Sequence, residues 1–381
     1  LCCSGFAAWL SELFNHSAWF WMRLMMRASE YGASLPGAFH RVPAPGFILT
    51  SALYLAIIGW GLRTSKTFRL ASFGLAAFLG LVSAINGWIG RNDVIVTIIP
   101  MRGGHAIVIE QPGRTNKVMI DCGDEQSAAY VTRPFLESRG YSELAALVLT
   151  HGDVRHVGGA RLIAEEFRVG AVFASKVRSR SPSYRRVLDW LQQRSGNLRR
   201  VAAGDVIAGL TVLHPAQDSS LTVADDNAIV LGGQLAGVQV LMLSDLGAEG
   251  QMALADRGGI RPGGIVITGL PSRGEALGEG LIAQVKPELV VVADANWPAY
   301  SRAPEQLRQR LGRLGVPVLD GSEVGAVTLR LRNGRWLAST MFRGGSKTWV
   351  LLDKSVDDNS GMENLFGPEE AEQRRGDRTL M

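Results

Sequence analysis

Cysteine is nearly absent from this chain of 381 residues: there are three, Cys2, Cys3 and Cys122, and the first two are adjacent. That excludes a disulfide framework, and no C-x-x-C pair is present to hold zinc. Charge is scarce before residue 91, where Trp, Phe, Leu, Met and Ala dominate, and ordinary afterwards. The net charge of +5 says little about nucleic acid by itself, and where the charge sits says more. The Gly-rich stretches RGGIRPGG (Arg257 to Gly264) and GLPSRGEALGEG (Gly269 to Gly280) lack the G-x-x-x-x-G-K-[ST] arrangement of a phosphate loop, so they read as ordinary loops. The length allows two or more domains with a sizeable core. The chain begins at Leu1 and not at Met, which sets the expectation of a fragment or a processed product.

What is present falls into distinct segments. GFILTSALYLAIIGWGL (Gly46 to Leu62), after the PAP of Pro43 to Pro45, and LASFGLAAFLGLVSAINGWIG (Leu70 to Gly90) are both uncharged. Each approaches the roughly 20 residues that cross a bilayer. Trp60 and Trp88 stand at interfacial positions, and two such runs in tandem favour transmembrane helices over buried core helices. The intervening RTSKTFR carries Arg63, Lys66 and Arg69 and no acid. The positive-inside rule then puts this loop in the cytoplasm and the chain after Arg91 outside it. Upstream, apolar residues at helical spacing interrupted by Glu12, Arg23 and Arg27 predict an amphipathic helix at a membrane surface. From Asp93, short β-rich runs such as VIVTIIP, KVMIDCG, LAALVLTH and VQVLMLSD alternate with helical patterns such as Gln126 to Arg139 and Pro304 to Leu314. That alternation predicts an α/β layered domain. The expected organisation is an amphipathic membrane-associated segment over 1–42, two transmembrane helices over 43–91, the α/β domain over 92–345, and a polar, disordered tail over 346–381.

The chemistry concentrates in LVLTHGDVRHVGG, Leu147 to Gly159, where His151, Asp153 and His156 follow a strand and Gly158-Gly159 opens a helix. A tight strand-to-helix loop lets such side chains converge on a metal ion, which can generate hydroxide near neutral pH. Asp245 ends the strand VLMLSD in the same manner. The plainer alternatives are hydrogen-bonded loop histidines and, for Asp245, an N-cap of the helix starting near Leu246. His214, in the L-H-P stretch, reads as a packed strand-end residue.

The order of these motifs resembles the ComEC family of DNA-uptake channel proteins, which end in a metallo-β-lactamase-like domain. TH-G-D-V-R-H-V-GG is similar to the family's T-H-x-D-x-D-H-x-G-G except at Arg155. HAIVIEQPGRTNKVMIDCGD resembles its opening hairpin, where a G-D-A-containing strand leads through PG to L-I-D-x-G. LTVLHPAQDSSLTVADDNAIVL resembles V-L-x-P followed by N-D-N-S, and VLMLSDLG resembles L-L-T-G-D. SLPGAF (Ser34 to Phe39) is similar to the last membrane segment before that domain, so the likeness runs over most of residues 30 to 335. It implies an αββα metallo-β-lactamase-like sandwich preceded by transmembrane helices. It also implies the bacterial inner membrane with the large domain extracytoplasmic, and DNA, the lipid bilayer and other competence-system membrane proteins as partners.

The departures from that pattern bear on activity. Arg155 replaces the Asp that helps hold the second metal, Leu270 to Arg273 stand where H-H-G-S is expected, and NWPAYSRAP lacks the His of Y-G-H-P. A guanidinium cannot ligate a cation, so Arg155 is expected to pair with Asp153 or Asp245 and to abolish a two-metal site. The resemblance is to a hydrolase with an incomplete ligand set: His151, Asp153, His156 and Asp245 remain, with either no metal or one Zn or Mn on His151, Asp153 and Asp245. A mononuclear metal-dependent phosphodiesterase, and a membrane assembly protein without a nucleic-acid role, are the alternatives. KVRSRSPSYRRVLDWLQQRSGNLRR, Lys176 to Arg200, holds eight Lys or Arg and one acid, whereas the whole part from residue 91 sums to about +1. Lys176, Arg178, Arg180, Arg185, Arg186, Arg199 and Arg200 are thus candidate contacts to single-stranded or duplex DNA, with Tyr184 and Trp190 available to stack on bases. A solvated helix face, or one resting on anionic lipid, is the alternative.

Overall fold

The computed structural model describes residues 5–35, 41, 43–44, 46–61, 65–89, 93–113, 116–299, 302–332, 334–342 and 345–351. One sheet is built from β1 (Val94–Met101), β2 (Gly104–Glu110), β3 (Lys117–Ile120), β4 (Glu143–Leu149), β5 (Arg168–Ser175) and β6 (Leu198–Val201). A second takes β7 (Val206–Ile207), β8 (Leu210–His214), β9 (Val230–Leu235), β10 (Val238–Ser244), β11 (Ile265–Thr268), β12 (Leu289–Val292) and β13 (Val318–Asp320). The chain then returns to the first sheet with β14 (Ala326–Arg332), β15 (Arg335–Phe342) and β16 (Gly345–Leu351). The strand orders are β16-β15-β14-β1-β2-β3-β4-β5-β6 and β13-β12-β11-β10-β9-β8-β7.

Composition explains the two kinds of strand. β14, AVTLRLR, alternates buried Val327, Leu329 and Leu331 with exposed Arg330 and Arg332, as an antiparallel strand with one wet face does. β11 (IVIT) and β12 (LVVV) are buried at every residue, as parallel strands covered on both faces must be. Both sheets pass from antiparallel pairing to parallel: β3 to β6 are parallel in the first and β10 to β13 in the second.

The sheets pack face to face over one core, with Val96, Ile98, Ile107 and Ile109 meeting Leu231, Val240, Ile267 and Val291. Successive residues face opposite ways, so Leu241, Val266 and Val290 point outward onto Leu254, Ile282, Leu307 and Leu311 of the helices Ala248–Arg257, Glu279–Val285 and Glu305–Arg313. Helices Ala160–Glu166 and Pro182–Ser195 lie against β5 and β6. The result is the expected helix–sheet–sheet–helix layering. It brings the carboxyl ends of β3, β4, β10 and β11 together, where open α/β sheets place their ligands.

The amino-terminal segments differ from the sequence expectation. Among the described residues no helix is long and apolar enough to cross a membrane, which corrects the two transmembrane helices expected over 43–91. The first run forms Phe47–Gly61, 15 residues, a rise of about 22 Å against roughly 30 Å of hydrocarbon. The second forms Lys66–Ile89 and gives its first turn to Lys66 and Arg69. Phe47, Leu55, Leu70 and Phe78 are exposed on these helices; the side chains of Trp60 and Trp88 lie outside the described residues. Helix Gly5–Ser34 belongs to a separate compact unit, with Trp19, Trp21 and Met25 exposed along it. β16 pairs with β15, so the sheet continues past residue 345, the expected end of the α/β domain. Residues 352–381 lie outside the described residues.

Candidate metal centre

The centre is assembled from residues at or near strand ends and in the loops and short helix that follow them. Asp121, after β3, and Ser244, ending β10, both take positive φ, 53° and 51°, a region that non-glycine residues seldom occupy. Those turns aim the polar groups at one another. Asp121 Oδ1 accepts from Thr150 N at 2.9 Å and Oδ2 accepts from Thr150 Oγ1 at 2.6 Å, while His156 Nδ1 donates to the same Oδ2 at 3.2 Å. His156 lies in the short helix Val154–Val157, whose N-cap is Asp153. Its Nε2 stands 2.9 Å from Asp245 Oδ2 without the alignment of a hydrogen bond. His105, near the start of β2, brings Nδ1 to 3.7 Å from Asp245 Oδ1, and its ring meets His156 edge-on at 4.9 Å between centroids. His151 packs on the other side of His156 at 4.5 Å, with Nε2 3.9 Å from Asp225 Oδ1. Apart from Asp153, which is partly exposed, all of these side chains are buried.

Burial works against charge throughout this cluster, and the neighbours decide which groups keep one. At His156 burial is outweighed by Asp245 and Asp121, which hold the imidazole pKa well above its ordinary value. Burial, reinforced by His156, pushes His105 down to about 4 and lowers His151. Burial also opposes the carboxylates, yet His156 brings Asp245 to about 2 and keeps Asp121 below its usual range. At neutral pH the cluster is one imidazolium held between two carboxylates, flanked by two neutral imidazoles.

Two sets of side chains place one ligand atom each within 4.8 Å of one another: His105, His156 and Asp245, and Asp121, His151 and His156. They differ in what is already satisfied. Asp121 is bonded through both oxygens, whereas in the first set both nitrogens of His105, His156 Nε2 and Asp245 Oδ1 have no hydrogen-bond partner.

The pair of metals that the family resemblance implies does not fit these residues. Arg155 donates from Nε to Asp153 Oδ2 at 2.8 Å and also bonds it through Nη2, so the guanidinium and the carboxylate occupy each other. Burial pushes the Asp153 pKa up, but Arg155 more than offsets it and leaves it lowered. Of the residues that the sequence offers for a single ion, His151 and Asp245 reach the cluster and Asp153 turns to Arg155, so that trio is not brought together as a ligand set. Asp245 is not the cap of the following helix, because Gly247 holds the N-cap position of Ala248–Arg257. His214 ends β8, buried, with Nε2 2.7 Å from Asp226 O.

The sequence reading misses His105, Asp121 and Asp225. The available signals were small: one His opening a strand, an Asp ending KVMID, and a doubled Asp before Asn227. Asp225 takes two hydrogen bonds from Ser272, at 2.7 Å from N and 2.5 Å from Oγ, so the stretch that lacks H-H-G-S is tied to the site by a different contact.

The basic segment spreads over three elements. Lys176, Arg178 and Arg180 are exposed on the loop after β5, Arg186 is exposed and Arg185 partly so on helix Pro182–Ser195, and Arg199 and Arg200 are exposed on β6. Ser181 caps that helix, accepting from Tyr184 N at 3.3 Å, with Pro182 in its first turn. Several cations are partly engaged: Arg185 donates to Ser179 O and Arg200 to Ser175 O, both at 3.1 Å, and Lys176 stands 3.6 Å from Asp205. The stacking expected of Tyr184 is overturned by its burial at 2% exposure, with its hydroxyl donating to Leu149 O. Trp190 is half-buried, and the guanidiniums of Arg161 and Arg194 lie 5.2 and 5.3 Å from its ring.

Residues 99–216 match the metallo-beta-lactamase superfamily. ComE operon protein 3 of Bacillus subtilis (strain 168) is 23% identical over 257 residues, 62% of this chain and 33% of that protein. Competence protein ComA of Neisseria gonorrhoeae is 23% identical over 298 residues, 77% of this chain and 39% of that protein. The chain therefore spans between a third and two fifths of the length of these relatives. Among solved structures, CmlA, a diiron beta-hydroxylase from Streptomyces venezuelae, aligns at 14% identity and a TM-score of 0.42, covering 62% of this chain and 54% of that one. The chain is thus similar to competence proteins of the ComEC type, over a part that carries a metallo-beta-lactamase-like domain.

Proposed function

We propose that this chain is the part of a bacterial DNA-uptake protein in which a metallo-β-lactamase-like domain binds or guides DNA without two-metal hydrolysis. The observation that carries the reading is the Arg155–Asp153 pair. A fixed cation sits in the loop where a second metal would need a carboxylate, and like charges so close repel. Nucleic-acid contact falls to Lys176, Arg178, Arg180, Arg185, Arg186, Arg199 and Arg200, whose charge is concentrated on neighbouring elements. Since the described aromatics of this segment are buried or covered by guanidiniums, contact is with phosphates and not with base faces. In this reading the exposed apolar residues of Phe47–Gly61 and Lys66–Ile89 lie against the lipid bilayer or other competence-system membrane proteins. The large domain faces away from the cytoplasm.

The test is binding of the full chain to single-stranded and duplex DNA over a range of salt. Replacing Arg185, Arg186, Arg199 and Arg200 together with Ala is expected to weaken binding at least about tenfold and to flatten the salt dependence. Unchanged binding, or none by the parent protein, would favour an assembly role without nucleic acid. Arg199 and Arg200 have a plainer use as well, because β6 is the outer strand of its sheet and charge protects such an edge from pairing with another chain.

A further inference from the structure

We infer that His105, His156 and Asp245 form a single-ion site for a divalent cation of the zinc type, with His105 as a ligand that the family pattern does not provide. The likeness to the opening hairpin predicts G-D-A, and this chain has Gly104-His105-Ala106. The substitution puts an imidazole where the topology brings the start of β2 against the turn after β10. The inference rests on the reading that the paired-metal centre is not formed, and it adds what the remaining side chains can hold.

Several observations carry it. Buried polar atoms are almost always hydrogen-bonded, yet four atoms on these three residues, His105 Nδ1 and Nε2, His156 Nε2 and Asp245 Oδ1, have no such bond, and each residue brings one ligand atom within 4.8 Å of those of the other two. A bound ion would satisfy such a concentration of unpartnered polar atoms. The spacing is close to what one ion needs: ligands about 2.0–2.2 Å from one ion lie about 3–3.5 Å apart, and the observed separations are 2.9 Å from His156 Nε2 to Asp245 Oδ2 and 3.7 Å from His105 Nδ1 to Asp245 Oδ1, with one ligand atom of each residue within 4.8 Å of the others. A cavity of about 20 Å³ lined by His105, Asp245 and Arg155 opens beside the trio, enough for one water-sized occupant.

Two glycines hold the arrangement open. A Cβ on Gly269 would stand 1.8 Å from Asp245 Oδ1 and 2.9 Å from His105 Cε1, filling the space between two of the ligands. A Cβ on Gly104 would stand 2.4 Å from Arg155 O, so only glycine lets the hairpin bring His105 so close to the loop that carries His156. Two imidazoles and one carboxylate suit zinc or a similar transition metal better than magnesium or calcium, which prefer all-oxygen shells.

The experiment is calorimetric titration of Zn²⁺ into the chelator-treated full chain, with zinc X-ray absorption on the loaded protein. One ion per chain is expected, with two imidazole nitrogens in its shell. His105→Phe, which keeps bulk and removes the ligand, should weaken binding at least about tenfold. His151→Gln, outside the shell, should change it less than about threefold. Absence of binding, a shell with one or three imidazoles, or a loss confined to His151→Gln overturns the inference. If His105→Phe does not fold, the absorption spectrum of the unmodified protein decides. Two ions per chain would defeat the single-ion site and the loss of the paired-metal centre together, whereas no ion would defeat only the former, and DNA binding is read independently of both.

Discussion

The buried cluster around His156 and the exposed segment from Lys176 to Arg200 carry charge in opposite ways. In the cluster every charged group is fixed by a neighbour: His156 lies between Asp121 and Asp245, and Arg155 is tied to Asp153. On the segment the cations outnumber the acids and most of them face solvent, with only single contacts from Lys176, Arg185 and Arg200 to groups of the same chain. The first arrangement therefore answers to pH and to loss of a single atom, whereas the second answers to salt and to loss of several charges at once.

The largest effect should come from breaking the cluster. His156→Ala leaves Asp121 and Asp245 buried without their common counter-charge, and a loss of about 3–5 kcal/mol is expected in denaturant unfolding. A loss below about 1 kcal/mol would show that the cluster behaves like a surface pair and would erase the contrast. Next comes pH. His105 and His151 have lowered pKa values in the folded chain, so their contribution is complete above the ordinary histidine value and is lost as pH falls toward about 4, the His105 value. His156, with a raised pKa, contributes fully below the ordinary value and loses its part only on the alkaline side. In chelator-treated protein, stability should drop by about 3 kcal/mol between pH 7 and pH 4. A flat profile would contradict these assignments.

The surface gives a smaller and different response. The fourfold arginine variant should lose up to about four units of salt slope on duplex DNA while its unfolding free energy stays within about 1 kcal/mol of the parent. A large destabilisation would mean that the segment is structural. The least effect is expected for Arg155→Ala, about 1 kcal/mol or less by unfolding, because the Arg155 side chain is 34% exposed and such pairs are screened by water.

Much of this was legible in the sequence, and the failures have physical causes. Apolar runs such as LAALVLTH and VQVLMLSD mark parallel strands because both faces are covered. The charge of a guanidinium was enough to expect Arg155 to pair with a carboxylate, but it left Asp153 and Asp245 both open, and the structure gives Asp153. His105, Asp121 and Asp225 escaped notice because each is isolated in sequence, and only the convergence of β2, β3 and the stretch before β9 on β4 and β10 makes them one site. Hydropathy counted the apolar residues of Gly46 to Leu62 correctly, but among the described residues they form a helix of only 15, Phe47–Gly61. Tyr184 looked like a stacking platform by composition, and its place on the buried face of its helix was set by packing.

In the reading proposed above, the domain holds DNA and does not cut it through a metal pair. The most direct measurement is incubation of the purified full chain with duplex and single-stranded DNA in the presence of Mn²⁺ or Zn²⁺, followed by electrophoresis. The DNA should be retained at low salt and recovered intact. Degraded DNA, with the degradation abolished by His151→Ala, would contradict it.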